Sequence, residues 1–275
     1  MSEKAHGRMK RWQEQRWILD AVIRTVGVEW DQARLRYGAA PGGSLAAGEF
    51  RAVGAKIKRV GDFVREFSIA AKRREQKAAK FEETGRKITA RESYLTASLL
   101  WAAGRWPIFE TNEDLEFLEK RMNHCYAKFI DLSSHPVEIV RIPFQGRELP
   151  GYLHFPKKPE DGEKFPCVVN IPGMDSSKET GVDMYGDSYL ERGMAVLSID
   201  GPGQAESVAL GNFVTTTNHM DAAKATIDWL SEHSLVDGNR IAVRGSSFGT
   251  YWGLQWAAAL GDRIKGVGVS GVCHE

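Results

Sequence analysis

The sequence predicts an α/β fold. A doubly wound, mostly parallel sheet opens with an antiparallel hairpin and is preceded by a helical domain. Three observations predict it. Residues 11–131 place apolar side chains three and four apart, the period of a helix with one buried face. Beyond residue 136 the pattern changes to short apolar runs of the kind buried in a parallel sheet. Helical stretches separate the later runs, as right-handed crossovers between parallel strands require.

In the helical part the clearest stripe is Phe50, Val53, Ile57, Val60, Val64 and Phe67, read as one face of one helix that continues into "KRREQKAAK". The stripe is a core or helix–helix seam, and the charged run that follows is a solvated face. "TARE" has the form of a capping box, Thr89 with Glu92, and predicts a helix start there. Thr111 is the expected cap of the helix over "NEDLEFLEKRMNHCYAKFIDL". "DLSSHP" breaks the helical period and reads as a linker, so the expected division is residues 1–132 and 133–275.

The second part begins with "VEIVRIPF" and "LPGYLHF", two strands joined through "QGRE". "PCVVNIP", "MAVLSID", "NRIAVRG" and "IKGVGVSGV" are the buried parallel strands. Helices are expected over about 180–192, 218–234 and 248–261.

Composition excludes several classes. The net charge of +1 argues against a general nucleic-acid binder. Three widely spaced cysteines, Cys125, Cys167 and Cys273, make neither a disulfide framework nor a zinc site, and point to reduced thiols in the cytoplasm. No apolar stretch is long enough for a membrane span, and the first residues lack the apolar core of a secretory signal.

The chemistry concentrates at Gly245-Ser246-Ser247-Phe248-Gly249, which fits G-x-S-x-G between a predicted strand and a predicted helix. A nucleophilic serine at such a turn projects its hydroxyl from the sheet edge. Gly245 and Gly249 remove side chains that would collide with the neighbouring strand and helix. Ser247 is the candidate nucleophile; Ser246 stands one residue early. An oxyanion needs two donors. The Phe248 amide is one, and the loop in "VVNIPGMDSSKE" offers the Met174 amide as the other, with Asp175 as the neighbour able to replace it. The same loop is no phosphate loop, because no glycine precedes Lys178. In "DGPGQAES", Gly201 and Gly203 form a lone G-x-G without the third glycine of a dinucleotide site.

"RIAVRGSSFGTYWGLQWAA", "NIPGMDSSKE" and "LSIDGPGQAES" together resemble the α/β-hydrolase family. Within it they are similar to the branch of 2,6-dihydroxypseudooxynicotine hydrolase, the fungal polyketide-shortening pigment hydrolases and the FrsA-like esterases. The resemblance covers roughly residues 85–275. It implies an α/β-hydrolase core and hydrolysis of a carbon–carbon bond beside a ketone, or of an ester, without metal or organic cofactor. It also implies a small-molecule ketone or ester substrate in a pocket between the helical segment and the core, and a homodimer. Thr250 and Ala205 stand where that pattern usually has glycine.

In this fold the triad order is Ser, acid, His. Only 28 residues follow Ser247. Asp262 comes too early for the acid, and His274 and Glu275 are weak candidates in the wrong order. His154 and His219 read as satisfied surface or core residues. The expectation is therefore that the acid and the histidine lie beyond residue 275. The competing readings are a carboxylesterase, an acylaminoacyl-type peptidase, and a hydrolase-like module that binds without turnover. Trp101, Trp106 and Phe109 are the aromatic residues expected near the site.

Overall fold

The computed structural model describes residues 11–30, 33–108, 111–184 and 186–271. Among the described residues five α-helices come first: α1 (Arg11–Val26), α2 (Gly43–Gly54), α3 (Asp62–Glu83), α4 (Lys87–Gly104) and α5 (Glu113–Asp131). The strands β1 (Val137–Phe144), β2 (Arg147–His154), β3 (Phe165–Ile171), β4 (Ala195–Ile199), β5 (Val236–Ser246) and β6 (Gly266–Ser270) follow. A short helix α6 (Ala205–Ala209) succeeds β4, α7 (Asn218–Glu232) precedes β5, and α8 (Phe248–Leu260) links β5 to β6. The sheet order is β1-β2-β4-β3-β5-β6; β1 and β2 run antiparallel to their neighbours, and β3 to β6 are parallel. This is the expected α/β sheet with its antiparallel opening.

The period of two along each strand separates the sheet faces. Leu153, Cys167, Val169, Ile171, Leu197 and Ile199 pack with α7 and α8 residues such as Ile227, Leu230, Trp252 and Trp256. The alternating positions carry Tyr152, His154, Asn170 and Ser198, all buried. Tyr152 belongs to the helical core instead, where its ring stacks on Tyr126 of α5 at 4.3 Å. One face of the sheet is thus an apolar core, and the other carries buried polar side chains, of which Tyr152 and His154 meet Tyr126 of α5. Cys125 and Cys167 are buried free thiols, and burial pushes both up to about 12. Cys273 lies outside the described residues. Among the described residues no helix is long and apolar enough to cross a membrane.

Several local expectations are corrected. The stripe from Phe50 to Phe67 is buried except for half-buried Val64, but it spans two helices, because the chain leaves the helix between Gly54 and Asp62. The Asp62 carboxylate accepts the Lys58 and Arg59 amides, and Asp20 accepts that of Val60. Those side-chain bonds replace the helical ladder while the three-four spacing persists. Thr89 lies inside α4, whose cap position is Arg86, because Gly85 turns the chain earlier with φ 75°. Asn112, not Thr111, caps α5: its side chain accepts the Leu115 amide at 2.9 Å.

The hairpin turn is shorter than "QGRE". Gln145 and Gly146 both have positive φ, 46° and 73°, as a two-residue I′ turn requires. The helix expected over 180–192 is absent, and 3₁₀ turns Lys178–Thr180 and Leu190–Arg192 stand there instead. Asp187 accepts the Tyr189 and Leu190 amides, and Gly186 and Gly193 take positive φ, so the segment bends repeatedly. Among the described residues β6 is exposed along its whole length rather than buried, and it pairs with β5.

Candidate active site

Ser247 stands between the last residue of β5 and the first of α8, with φ 52° and ψ −124°. A non-glycine residue there stores strain on the order of 1–3 kcal/mol, which the surroundings must hold. The two flanking glycines make the turn possible. A Cβ on Gly245 would collide with the carbonyl oxygen of Gly249, and one on Gly249 with that of Ile171. The Ser247 amide donates to the Ser270 carbonyl at 2.8 Å, and the Thr250 hydroxyl donates to the same oxygen at 3.0 Å. Thr250 therefore ties the turn to the end of β6, a contact that glycine lacks. The Ser247 side chain is exposed, and Phe248 opens α8 with its ring against Trp252 at 4.7 Å.

The loop after β3 approaches this turn. A Cβ on Gly173 would lie 3.0 Å from Ser247 Cβ and 3.5 Å from its Oγ. Met174 and Asp175 follow at once, both exposed. The structure thus brings Ser247, Phe248, Gly245, Gly249 and the Met174–Asp175 loop together. Gln204 fixes that loop from the other side: its Nε2 donates to the Pro172 and Gly173 carbonyls at 2.7 and 3.1 Å, and its Oε1 accepts the Gly201 amide at 2.9 Å. The "GPGQ" segment is a brace rather than a nucleotide loop.

A cavity of about 490 Å³ lies between α4 and these loops. Leu99, Trp106, Ile108, Val208 and Phe213 supply apolar walls, and Arg105, Asp175 and Ser177 supply polar groups. Met174 lines it as well; Ser247 does not line it but packs against Gly173, the residue before Met174. Of the aromatic residues expected nearby, Trp106 lines the cavity. Trp101 is buried in the helical core, with its indole N–H donating to Glu75 at 3.2 Å. Phe109 lies outside the described residues.

The histidines are placed elsewhere. His274, Glu275 and His6 lie outside the described residues. His154 is a core residue whose ring nitrogens meet Tyr126 Oη at 3.3 Å and His135 Nε2 at 2.9 Å; burial holds it well below the usual range. His233 pairs with Glu138 at 3.0 Å, and His124 stands 3.7 Å from Glu75. His219 corrects the expectation of a satisfied residue. It is 3% exposed and stacked on Trp252 at 3.7 Å, yet neither ring nitrogen has a hydrogen-bond partner among the described residues. Burial pulls its imidazole down to about 3. None of these described histidines is hydrogen-bonded to Ser247.

Sequence reasoning missed an ionic cluster behind the loop. Lys178 is 1% exposed, and its ammonium meets Glu179 at 2.8 Å, Glu206 at 2.8 Å and Asp200 at 3.3 Å. Burial opposes its charge, but Glu179, Asp200 and Glu206 outweigh it and hold the ammonium well above the usual lysine range. Burial raises Asp200 to about 7 although Lys178 opposes the rise. Arg141 binds the far oxygen of Glu206 at 2.7 Å, and Arg105 pairs with Glu119 next to the cavity. The sequence signal was a lysine beside an acid in "DSSKE", which on its own marks an ordinary charged surface.

The sequence profile of the FrsA-like family, described as "Esterase FrsA-like", matches residues 53–275. The α/β hydrolase ucsC of Acremonium is 30% identical over 252 residues, covering 83% of this chain and 50% of that protein. The 2,6-dihydropseudooxynicotine hydrolase of Paenarthrobacter nicotinovorans is 28% identical over 184 residues, covering 67% of this chain and 48% of that protein. The crystal structure of a 2,6-dihydroxy-pseudo-oxynicotine hydrolase superposes with a TM-score of 0.65 at 24% identity, over 85% of this chain and 62% of that one, a likeness of fold. The chain spans about half the length of the curated relatives it matches. With a sheet of this order and a match over residues 53–275, the chain belongs to the FrsA-like esterase family of α/β hydrolases.

Proposed function

We propose that this chain carries the nucleophile and the oxyanion donors of a serine hydrolase that cleaves a carbon–carbon bond beside a ketone in an aromatic or polyketide-like small molecule. One observation carries the reading: Ser247 sits on a strained turn directly against Gly173, whose next residue lines an apolar cavity. Ser247 Oγ attacks the ketone carbon and passes its proton to a base. The resulting oxyanion takes hydrogen bonds from the Met174 and Phe248 amides; the first amides of α8 have no intrahelical acceptor and lie at the positive end of the helix dipole. Collapse of the tetrahedral adduct breaks the C–C bond and releases an enolate, which takes up the proton. Water then hydrolyses the acyl-enzyme, restoring the Ser247 hydroxyl and releasing a carboxylic acid.

A serine hydroxyl needs a base. Among the described residues His135, His154 and His233 hydrogen-bond to groups other than Ser247. The helical half serves as the cap, because α4 supplies one wall of the cavity.

The second reading is a carboxylesterase, favoured by the family description and by the bacterial esterase FrsA of Photobacterium profundum, 20% identical over 215 residues. The two readings share every step except the leaving group, an enolate in one and an alkoxide in the other. The test uses the full-length gene product with a panel of aryl β-diketones and nitrophenyl esters. Ketone cleavage abolished by Ser247→Ala supports the C–C reading, with an expected loss of about 10⁴–10⁶-fold in kcat. Ester turnover with no ketone cleavage removes it. A fluorophosphonate that fails to label Ser247 removes both and leaves a binding module.

A further inference from the structure

Two loops line the cavity: residues 174–180, after β3, and residues 203–214, around α6. They share one buried anchor. Asp200 Oδ1 accepts the Lys178 amide at 2.7 Å, and its Oδ2 accepts the Glu206 amide at 3.2 Å. The Lys178 ammonium closes the ring through Asp200 and Glu206. It also reaches out of the core. Its Nζ donates to Asn123 Oδ1 of α5 at 3.3 Å and lies 5.0 Å from the Tyr152 ring, while the Tyr152 hydroxyl donates to Glu179 at 3.1 Å.

One ammonium therefore joins the helical half, the loop of Met174 and the loop of Glu206. Stability alone is a poor account of such a cluster. Well-packed apolar side chains of similar volume usually serve a protein's stability as well as a buried ion pair does. What charges add is direction: each carboxylate or carbonyl fixes the ammonium from one side. Lys178 is four residues past Met174, and residues 174–177 in between all line the cavity.

We propose that Lys178 is a positioning residue, which clamps the loop carrying the Met174 amide to Asp200 and Glu206 on one side and to Asn123 of the helical half on the other. The position of the helical half over a bound substrate is thereby transmitted to the oxyanion donor. This rests on the reading of Ser247 as nucleophile.

The test uses Asn123→Ala and Lys178→Met in the full-length gene product. Two quantities are read: hydrogen exchange of the amides of residues 173–177, and kcat per serine titrated with a fluorophosphonate. The clamp predicts exchange at least threefold faster in Asn123→Ala and tenfold faster in Lys178→Met, with β3 and β5 amides unchanged. It predicts kcat per titrated serine lowered by similar factors, with KM within twofold. A lowered Tm with unchanged kcat per titrated serine overturns it, whatever the exchange does, because a structural role loses folded enzyme and leaves each remaining site intact. If Lys178→Met does not fold, Asn123→Ala decides. If the wild type is not labelled at Ser247, the serine reading fails separately. Exchange at 173–177 then judges the clamp, and unchanged exchange in the variants overturns it.

Discussion

Gly173 and Ser247 pack face to face, so that a Cβ on Gly173 would lie 3.0 Å from Ser247 Cβ. The Ser246 carbonyl is 3.3 Å from the same point, so backbone confines the site from a second side. Gly173→Ala should displace either the serine or the loop by a few tenths of an ångström. Catalytic geometry is sensitive at that scale. The expected outcome is a fall in kcat/KM of about tenfold or more, with thermal unfolding close to wild type. Unchanged kinetics would separate Gly173 from the reacting centre.

Gly249→Ala has a different consequence. The added methyl meets the Ile171 and Pro172 carbonyls, which are backbone and cannot rotate away. Overpacking of this kind costs about 3 kcal/mol or more when backbone must move. Urea unfolding should show a lower midpoint at an unchanged slope. A shift below about 0.5 kcal/mol would mean that the elbow opens without resistance.

Ala205 offers a gain. Its φ is 33°, in the left-handed region, at the start of α6. Ala205→Gly relieves that strain, and the expected stabilisation is about 1 kcal/mol. Equilibrium denaturation checks it; a loss of stability would show that chain entropy outweighs the strain. Because Ala205 also lines the cavity, the variant should leave KM nearly unchanged for substrates that do not reach that wall.

His219 predicts a pH dependence with a definite sign. Its folded-state pKa, pulled down by burial to about 3, lies below the ordinary value of 6.5. Between those values the unfolded chain binds the proton and the folded chain does not, so stability falls as pH falls from 6.5 toward 3. At pH 5 the penalty from this residue is about 2 kcal/mol. His219→Phe keeps the stack on Trp252 and removes two unpartnered nitrogens. It should stabilise the protein at pH 7 by roughly 1 kcal/mol, and by clearly more at pH 5. Equal gains at the two pH values would show that the imidazole does not titrate in this window.

The elbow was legible because its determinants are local. Gly245, Ser247 and Gly249 lie within five residues, and the runs on either side carry the periods of a strand and a helix. The turn at Gly173 was legible as a glycine at a strand end. Helix boundaries were less so. Thr89 and Thr111 have capping chemistry, but Gly85 and Asn112 had already set those turns. The break at residues 55–61 was invisible because its apolar positions keep a helical spacing while Asp62 and Asp20 take the amides. The ionic cluster could not be seen at all. Lys178, Asp200 and Glu206 are charged residues well apart along the chain, and only their common burial distinguishes them from surface charges.

By itself the sequence determined the fold class, the order of strands along the chain, and the residue types at the turn of Ser247. Apolar periodicity and glycine sterics act over a few residues and need no partner to be read. The tertiary structure alone decided what those residues face. It set Gly173 against Ser247, put Trp106 rather than Trp101 on the cavity wall, left the His219 ring nitrogens without a hydrogen-bond partner among the described residues, and drew three carboxylates around one buried ammonium. Those relations depend on which distant segments share a desolvated space. Desolvation sets the energy of a charge or an unpaired nitrogen, and no stretch of the chain carries it alone.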